Sequence, residues 1–237
     1  MLRSIKQLYG DRLGALDGPI GHVKDFYFDD RSWVVRYLIA DTGNWLPGRQ
    51  VLISPHTLGN PYLTGRHLSV NLTRKQIEDS PAIESHTPIS RQYEEDYYRH
   101  YGWPHYWQGD GLWGMSGLPV FGSLAIPMPG ERIPAIESKR ESADAHLRST
   151  QAVNGYHFQA SDGIAGFICD FMMDETSWAI GQVVIKTGHR FTGKEVQIPS
   201  NEISRISYEG SSVYADMTKS EVEQKPARDL AAVAFNL

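Results

Sequence analysis

The nine-residue phrase Asp25-Phe26-Tyr27-Phe28-Asp29-Asp30-Arg31-Ser32-Trp33 returns as Asp170-Phe171-Met172-Met173-Asp174-Glu175-Thr176-Ser177-Trp178, 145 positions later. The same offset holds without a gap from Leu2/Leu147 to Pro81/Pro226. It passes through Arg3/Arg148, Ser4/Ser149, Gly10/Gly155, Asp17/Asp162, Gly18/Gly163, Gly21/Gly166, Thr42/Thr187, Gly43/Gly188, Gly48/Gly193, Val51/Val196, Ile53/Ile198 and Thr73/Thr218. An unbroken offset of that length means two copies of one unit with the same loop lengths, a duplication rather than a solenoid. The shared residues are turn and core types. Glycines mark bends where other residues are strained, and Trp33 and Trp178 are expected to anchor the core. What the duplication preserves is architecture, not a catalytic set.

The 237 residues divide on this basis into a first unit (1–81), a connecting segment (82–145), a second unit (146–226) and a C-terminal tail (227–237). Units of that size lie near the lower limit for an independent core, so each copy is expected to lean on its twin or on the connector. The net charge of −5 argues against a general nucleic-acid surface. The single cysteine, Cys169, has Lys24 as its counterpart. It can form no internal disulfide, fits a reducing compartment, and is read as a partly buried structural residue rather than a nucleophile. No apolar stretch is long enough to span a membrane. The N-terminus carries no secretory signature, and the expected location is cytoplasmic.

Within each copy the pattern is that of short strands and tight turns. Ser4 and Gln7 have capping-box spacing for a first helical turn. Arg12 to Leu16 runs into the Asp17-Gly18-Pro19 turn. Ile20 to Phe28 alternates, with Val23 out of phase by one residue as a β-bulge would place it. Trp33 to Ala40 is β-branched and aromatic, the strongest strand signal, followed by a Gly43–Gly48 loop, then Gln50 to Ser54 and His67 to Leu72. Thr73 and Gln76 cap a last short helix that Pro81 closes. In the connector, Ser90 caps a helix to Tyr101 with Tyr93, Tyr97 and Tyr101 on one face, stopped by Gly102 and Pro104. Gly114 to Pro134 and the charged Glu137 to Asp144 read as a linker of little regular structure. The expected fold is all-β: two small antiparallel barrels with short helices and an aromatic helical connector.

Several phrases resemble a known family. Asp17-Gly18, Gly21, Asp25-Phe26, Asp29-Asp30, Trp33-Val34-Val35-Arg36-Tyr37, Asp41-Thr42-Gly43 and Val51-Leu52-Ile53-Ser54-Pro55 are similar to a PRC-barrel domain. That small β-barrel is found in the H subunit of the bacterial photosynthetic reaction centre and in a ribosome maturation factor. The second copy is similar but looser: Gly181-Gln182 replace Arg36-Tyr37, and Arg190-Phe191-Thr192 replace Trp45-Leu46-Pro47. The chain as a whole resembles tandem PRC-barrel proteins of bacteria, including Tyr98 to Pro104 and Gly111 to Gly114. The resemblance implies docking on proteins or assemblies, and it supplies no catalytic residues.

Asp25, Asp29 and Asp30, with Asp170, Asp174 and Glu175, would be candidates for acid–base chemistry or a hard cation. On an extended strand residues 25 and 29 stand about 13 Å apart, and the set is read as turn chemistry. The nine histidines show no zinc-ligand spacing, and none is matched by a histidine in the other copy. His100 and His105 are close enough in sequence to meet across a turn and are assigned to packing or solvent. Gly111 to Gly117 lacks the nucleophile-elbow pattern. No catalytic, cofactor or metal site is expected.

The aromatic connector is the better lead, with eight Tyr and Trp residues between Tyr93 and Trp113. Tyr and Trp are enriched at binding hot spots, but the same stripe would serve as an internal clasp between small barrels. Trp45, Tyr97, Tyr101, Trp103, Tyr106, Trp107 and Trp113 are the candidate partner-binding residues. The expected function is a non-enzymatic interaction or adaptor module that docks protein partners on a larger assembly, with homo-oligomerisation open and direct nucleic-acid contact disfavoured. Two alternatives follow from the resemblance alone: a ribosome- or RNA-associated maturation factor, and an accessory subunit of a membrane-bound complex that does not itself insert.

Overall fold

A computed structural model of the chain describes residues 1–59, 67–81, 83, 89–108, 112–114, 146–188 and 193–228. The Gly/Pro-rich and charged linker expected over Gly114–Asp144, beyond Gly114 itself, lies outside them, as do Arg190-Phe191-Thr192 and the tail from 229 onward. In the first copy the elements are β1 (Leu2–Ser4), α1 (Ile5–Leu8), β2 (Arg12–Ala15), β3 (Gly18–Asp29), β4 (Val34–Asp41), β5 (Gln50–Ile53), β6 (His67–Ser69) and α2 (Arg74–Glu78). Helix α3 (Arg91–Tyr101) follows. The second copy repeats the order as β7 (Leu147–Ser149), α4 (Thr150–Val153), β8 (His157–Ala160), β9 (Gly163–Asp174), β10 (Ile180–Thr187), β11 (Glu195–Pro199), β12 (Ile203–Ser207), β13 (Ser212–Ala215) and α5 (Lys219–Gln224). No helix among the described residues is long and apolar enough to cross a membrane.

The strands form two sheets, ordered β5-β4-β3-β2-β6 and β11-β10-β9-β8-β13-β12. The protein is mostly β, as expected, but two features differ from the expectation. The sheets are mixed rather than antiparallel, because β6 returns parallel to β2 and β13 parallel to β8. And among the described residues neither sheet closes on itself. In the second copy the chain leaves β11 through a 3-10 turn at Ser200–Glu202, which interrupts the ladder before β12. The bulge expected near Val23 is present: the β3/β4 register slips between Val23 and Asp25. Gly21 meets a real constraint there, since a Cβ on it would lie 1.9 Å from the Asp41 carbonyl oxygen; the equivalent distance at Gly166 is 2.3 Å, to Lys186.

The two copies are joined by reciprocal exchange. β1 of the first copy pairs with β9 of the second, and β7 of the second pairs with β3 of the first. At the centre, Val35 N–H donates to the Trp178 carbonyl and Ile180 N–H to the Trp33 carbonyl. Both tryptophans take left-handed backbone angles, φ 56° and 61°. They are therefore hinge residues before their strands rather than the first strand residues, a conformation bulky side chains hold only when the surroundings enforce it. Trp178 is buried and Trp33 half-buried against Phe28. Phe28 meets Phe171, and Phe26 meets Trp178. Buried residues of both copies thus form one continuous core.

Candidate functional site

The repeated acidic residues divide by position. Asp29 and Asp174 do the expected turn work: Asp29 accepts from Arg31 and Ser32 N–H, Asp174 from Thr176 and Ser177 N–H. Asp25 and Asp170 do not. They lie inside β3 and β9 and grip the segment that crosses from the other copy. Asp25 accepts from the Ser149 hydroxyl at 2.5 Å, the Thr150 hydroxyl at 3.0 Å and Gln151 N–H at 3.1 Å. Asp170 accepts from the Ser4 hydroxyl at 2.5 Å and Lys6 N–H at 3.0 Å, and pairs with Arg228 at 2.7 Å. Three further ion pairs join the copies, Arg148 with Asp30, Arg3 with Glu175 and the Met1 amine with Asp174. A carboxylate facing the start of a helical turn satisfies donors that the turn leaves unpaired. Asp30 and Glu175 too, read as turn residues from sequence, serve as cross-copy anchors.

Helix α3 packs mainly on the first copy and reaches the second at His146. Ser90 accepts from Tyr93 N–H at its start, and Gly102 ends it in a left-handed conformation (φ 68°) that costs a glycine little. Tyr97 donates to the Leu52 carbonyl, Tyr93 to Pro81 and Tyr101 to Gln76. Beneath the helix lies a buried polar knot. Glu94, fully buried, accepts from the Tyr37 hydroxyl at 3.0 Å and the Tyr106 hydroxyl at 2.7 Å through one oxygen. Its other oxygen lies 3.0 Å from Arg91, an ion-pair contact, and 3.3 Å from the His146 ring. Burial first, and then the Glu94 charge, hold Tyr37 and Tyr106 well above the ordinary tyrosine range, so both remain donors. Arg36 is sandwiched 3.9 Å over Tyr106 and 4.9 Å from Trp113, and donates to the Leu112 carbonyl and the Ser32 hydroxyl. Trp113 donates to the Ser177 carbonyl of the second copy. The knot therefore ties β4, α3, the chain after α3 and the start of β7.

Of the seven residues singled out from sequence, Tyr97, Tyr106 and Trp113 are spent on this interior and present no side-chain surface. Tyr101, Trp103 and Trp107 are half-exposed around Tyr98. Tyr101 stacks on Trp103 with centroids 4.4 Å apart, His105 stacks on Trp107 at 4.5 Å, and Arg91 lies 4.2 Å over Trp107. Trp45, also half-buried, lies under the Arg74 guanidinium at the start of α2, while Tyr101 reaches the Gln76 carbonyl in the middle of the same helix. His100 meets Tyr101 edge-on and His105 stacks on Trp107, so the two histidines have separate aromatic neighbours. Sequence reasoning missed Glu94, His146 and Arg36. The one available signal was the replacement of Arg36-Tyr37 by Gly181-Gln182 in the copy that α3 does not cover.

Burial, and then the nearby Glu195 and Asp170, push the Cys169 thiol up to about 12, the opposite of an activated nucleophile. Among the described residues no group of three or more His, Cys, Asp or Glu could hold a metal ion. No model of a known protein family matches the chain, and no curated protein matches it significantly.

Proposed function

We propose that the protein is a non-enzymatic docking module of the cytoplasm, built from two PRC-type barrel units, and that it engages a protein partner through Trp45, Tyr101, Trp103 and Trp107. The observation that carries this reading is a set of half-exposed aromatic side chains held by a buried foundation. Tyr98 supports Trp103 and Trp107, and Glu94 fixes the helix beneath them. Rigid aromatic surface loses little conformational freedom on binding, which is what makes Tyr and Trp effective contact residues. An adaptor needs a stable frame and a contact patch, and the cross-copy anchors supply such a frame.

The test is site-specific photo-crosslinking in the native cell, with a photoreactive phenylalanine analogue at position 103 or 107 and, as control, at the exposed Tyr208. One discrete crosslinked product from 103 and 107 but not from 208, lost when Trp45→Ala is combined with substitution of the remaining strip, is expected. No product, or the same products from all three positions, would remove the aromatic strip from the function.

A further inference from the structure

The duplication allows one copy to be read as the occupied form of the other. In the first copy the groove between the 3-10 turn after β5 and helix α2 is filled from α3 and the chain that follows it. Trp103 lies 6.0 Å from His56, Tyr101 donates to the Gln76 carbonyl, and Tyr93 donates to Pro81. In the second copy the equivalent groove is, among the described residues, an open depression of about 570 Å³ between the turn at Ser200–Glu202 and helix α5. Its floor is Met217, the counterpart of Leu72, and its wall at Asn201 is the counterpart of His56. The lining has also changed charge. Thr57, Asn71 and Gln76 correspond to Glu202, Asp216 and Glu221. Lys225 neutralises Glu202, with Nζ 2.6 Å and 2.8 Å from its two oxygens. Asp216 and Glu221 are both exposed at the groove; Glu221 accepts from Thr218 through one oxygen and feels Lys225, so Asp216 and the other Glu221 oxygen are the acceptors the groove offers.

We propose that this groove of the second copy is a docking site for a basic amphipathic helix of a protein partner, seated as α3 is seated on the first copy. The shape comes from the occupied twin: a helix with aromatic residues on one face, entering beside the last helix of the unit. The charge comes from the lining, which asks for lysine or arginine where α3 carries none toward its own groove. The proposal goes beyond the aromatic-strip reading and uses a different face, so either can fail without the other.

The probe is a synthetic peptide of residues 89–107 of this chain carrying His100→Lys and Tyr101→Arg, at the end of α3 that meets α2 in the first copy, titrated into the full-length protein. The reporter is the methyl signal of Met217 in methionine-labelled protein, assigned with Met217→Leu. Saturable shift of that signal is expected, weakening as salt rises. In the Asp216→Asn/Glu221→Gln protein, binding should fall on the order of tenfold. Glu221→Gln keeps the α5 capping box, since glutamine serves the same position. The unsubstituted peptide, with its acidic residues, should bind more weakly than the basic one. A silent Met217, equal affinity for the two peptides, or full affinity in the charge-neutralised protein would each overturn the proposal.

Discussion

Replacing Asp25 by alanine removes the acceptor that the second copy's crossing segment was built around. Four donors lose their partner: Phe26 N–H at 2.7 Å, the Ser149 and Thr150 hydroxyls, and Gln151 N–H. The hydroxyls can turn elsewhere, and Thr150 already has the Phe26 carbonyl at 3.2 Å. Phe26 N–H cannot, and a buried donor left unpaired costs about 1–3 kcal/mol. Gln151 is exposed and its N–H can turn to water, but the three bonds from the crossing segment each give up about 0.5–1.5 kcal/mol, for roughly 3–7 kcal/mol in all. Against this stands the cost of burying the carboxylate itself. Burial raises the pKa of Asp25 above the ordinary range despite its hydrogen bonds, and that penalty disappears with the side chain. The net expectation is a loss of about 2–4 kcal/mol, a large share of the 5–15 kcal/mol typical of a folded domain. Asp25→Asn should lose about half as much.

The assay is urea unfolding of the full chain, followed by circular dichroism at neutral pH. Repeating it in a Ser149→Ala/Thr150→Val background isolates the cross-copy coupling. A loss below about 1 kcal/mol, or the same loss in both backgrounds, would refute the idea that the carboxylate clamps the exchanged segment. The pH dependence has a definite sign. A carboxyl whose folded pKa lies above its unfolded value makes the fold less stable as pH rises through that interval. Asp25→Asn should therefore remove a decline in stability with rising pH just above the ordinary carboxylate range.

Three other outcomes are expected. Burial, and then Arg36, lower the His56 pKa to about 4. Stability from its neutral form should drain away as pH falls from about 6.5 toward 4, and a ring-proton titration by NMR with a midpoint near 6.5 would contradict the packing under Trp113. Cys169, with its thiol near 12, should react with iodoacetamide at neutral pH far more slowly than a free cysteine peptide and reach that rate only on unfolding; immediate labelling would place it at the surface. Glu94→Ala strands the Tyr37 hydroxyl while Tyr106 keeps His146 and Arg91, and should cost about 1–3 kcal/mol, measured by the same urea unfolding. A loss under about 1 kcal/mol would mean that α3 is held by its aromatic contacts alone.

Much of the local structure was legible because its signals are local. Thr73 with Gln76 and Thr218 with Glu221 form full capping boxes. Ser90 and Gly102 bound α3 where the tyrosine period begins and ends. The slip at Val23 appears as a bulge. The candidate site was half legible. The aromatic density was plain, but which rings face inward depends on what lies across from them. Tyr97 and Trp103 look alike in sequence; only the sheet beneath α3 makes one interior and leaves the other half in water. The mixed sheets were missed for a related reason: the pattern of β6 marks a half-buried strand but says nothing of its direction relative to β2.

By itself the sequence determined that there are two copies of one unit, where their turns fall, and that a tyrosine-striped helix stands between them. Whether each copy keeps its own first strand or lends it to the other was decided only in three dimensions. Leu2-Arg3-Ser4 and Leu147-Arg148-Ser149 are the same three residues, and either sheet offers them an edge that ends in an aspartate, Tyr27-Phe28-Asp29 in one and Met172-Met173-Asp174 in the other. The crossing strand itself carries no mark of which edge to take. What distinguishes the two edges is where the chain can reach and which arrangement lets Trp33 and Trp178 exchange backbone hydrogen bonds over a shared core. That is a property of the folded pair, which no three-residue pattern encodes.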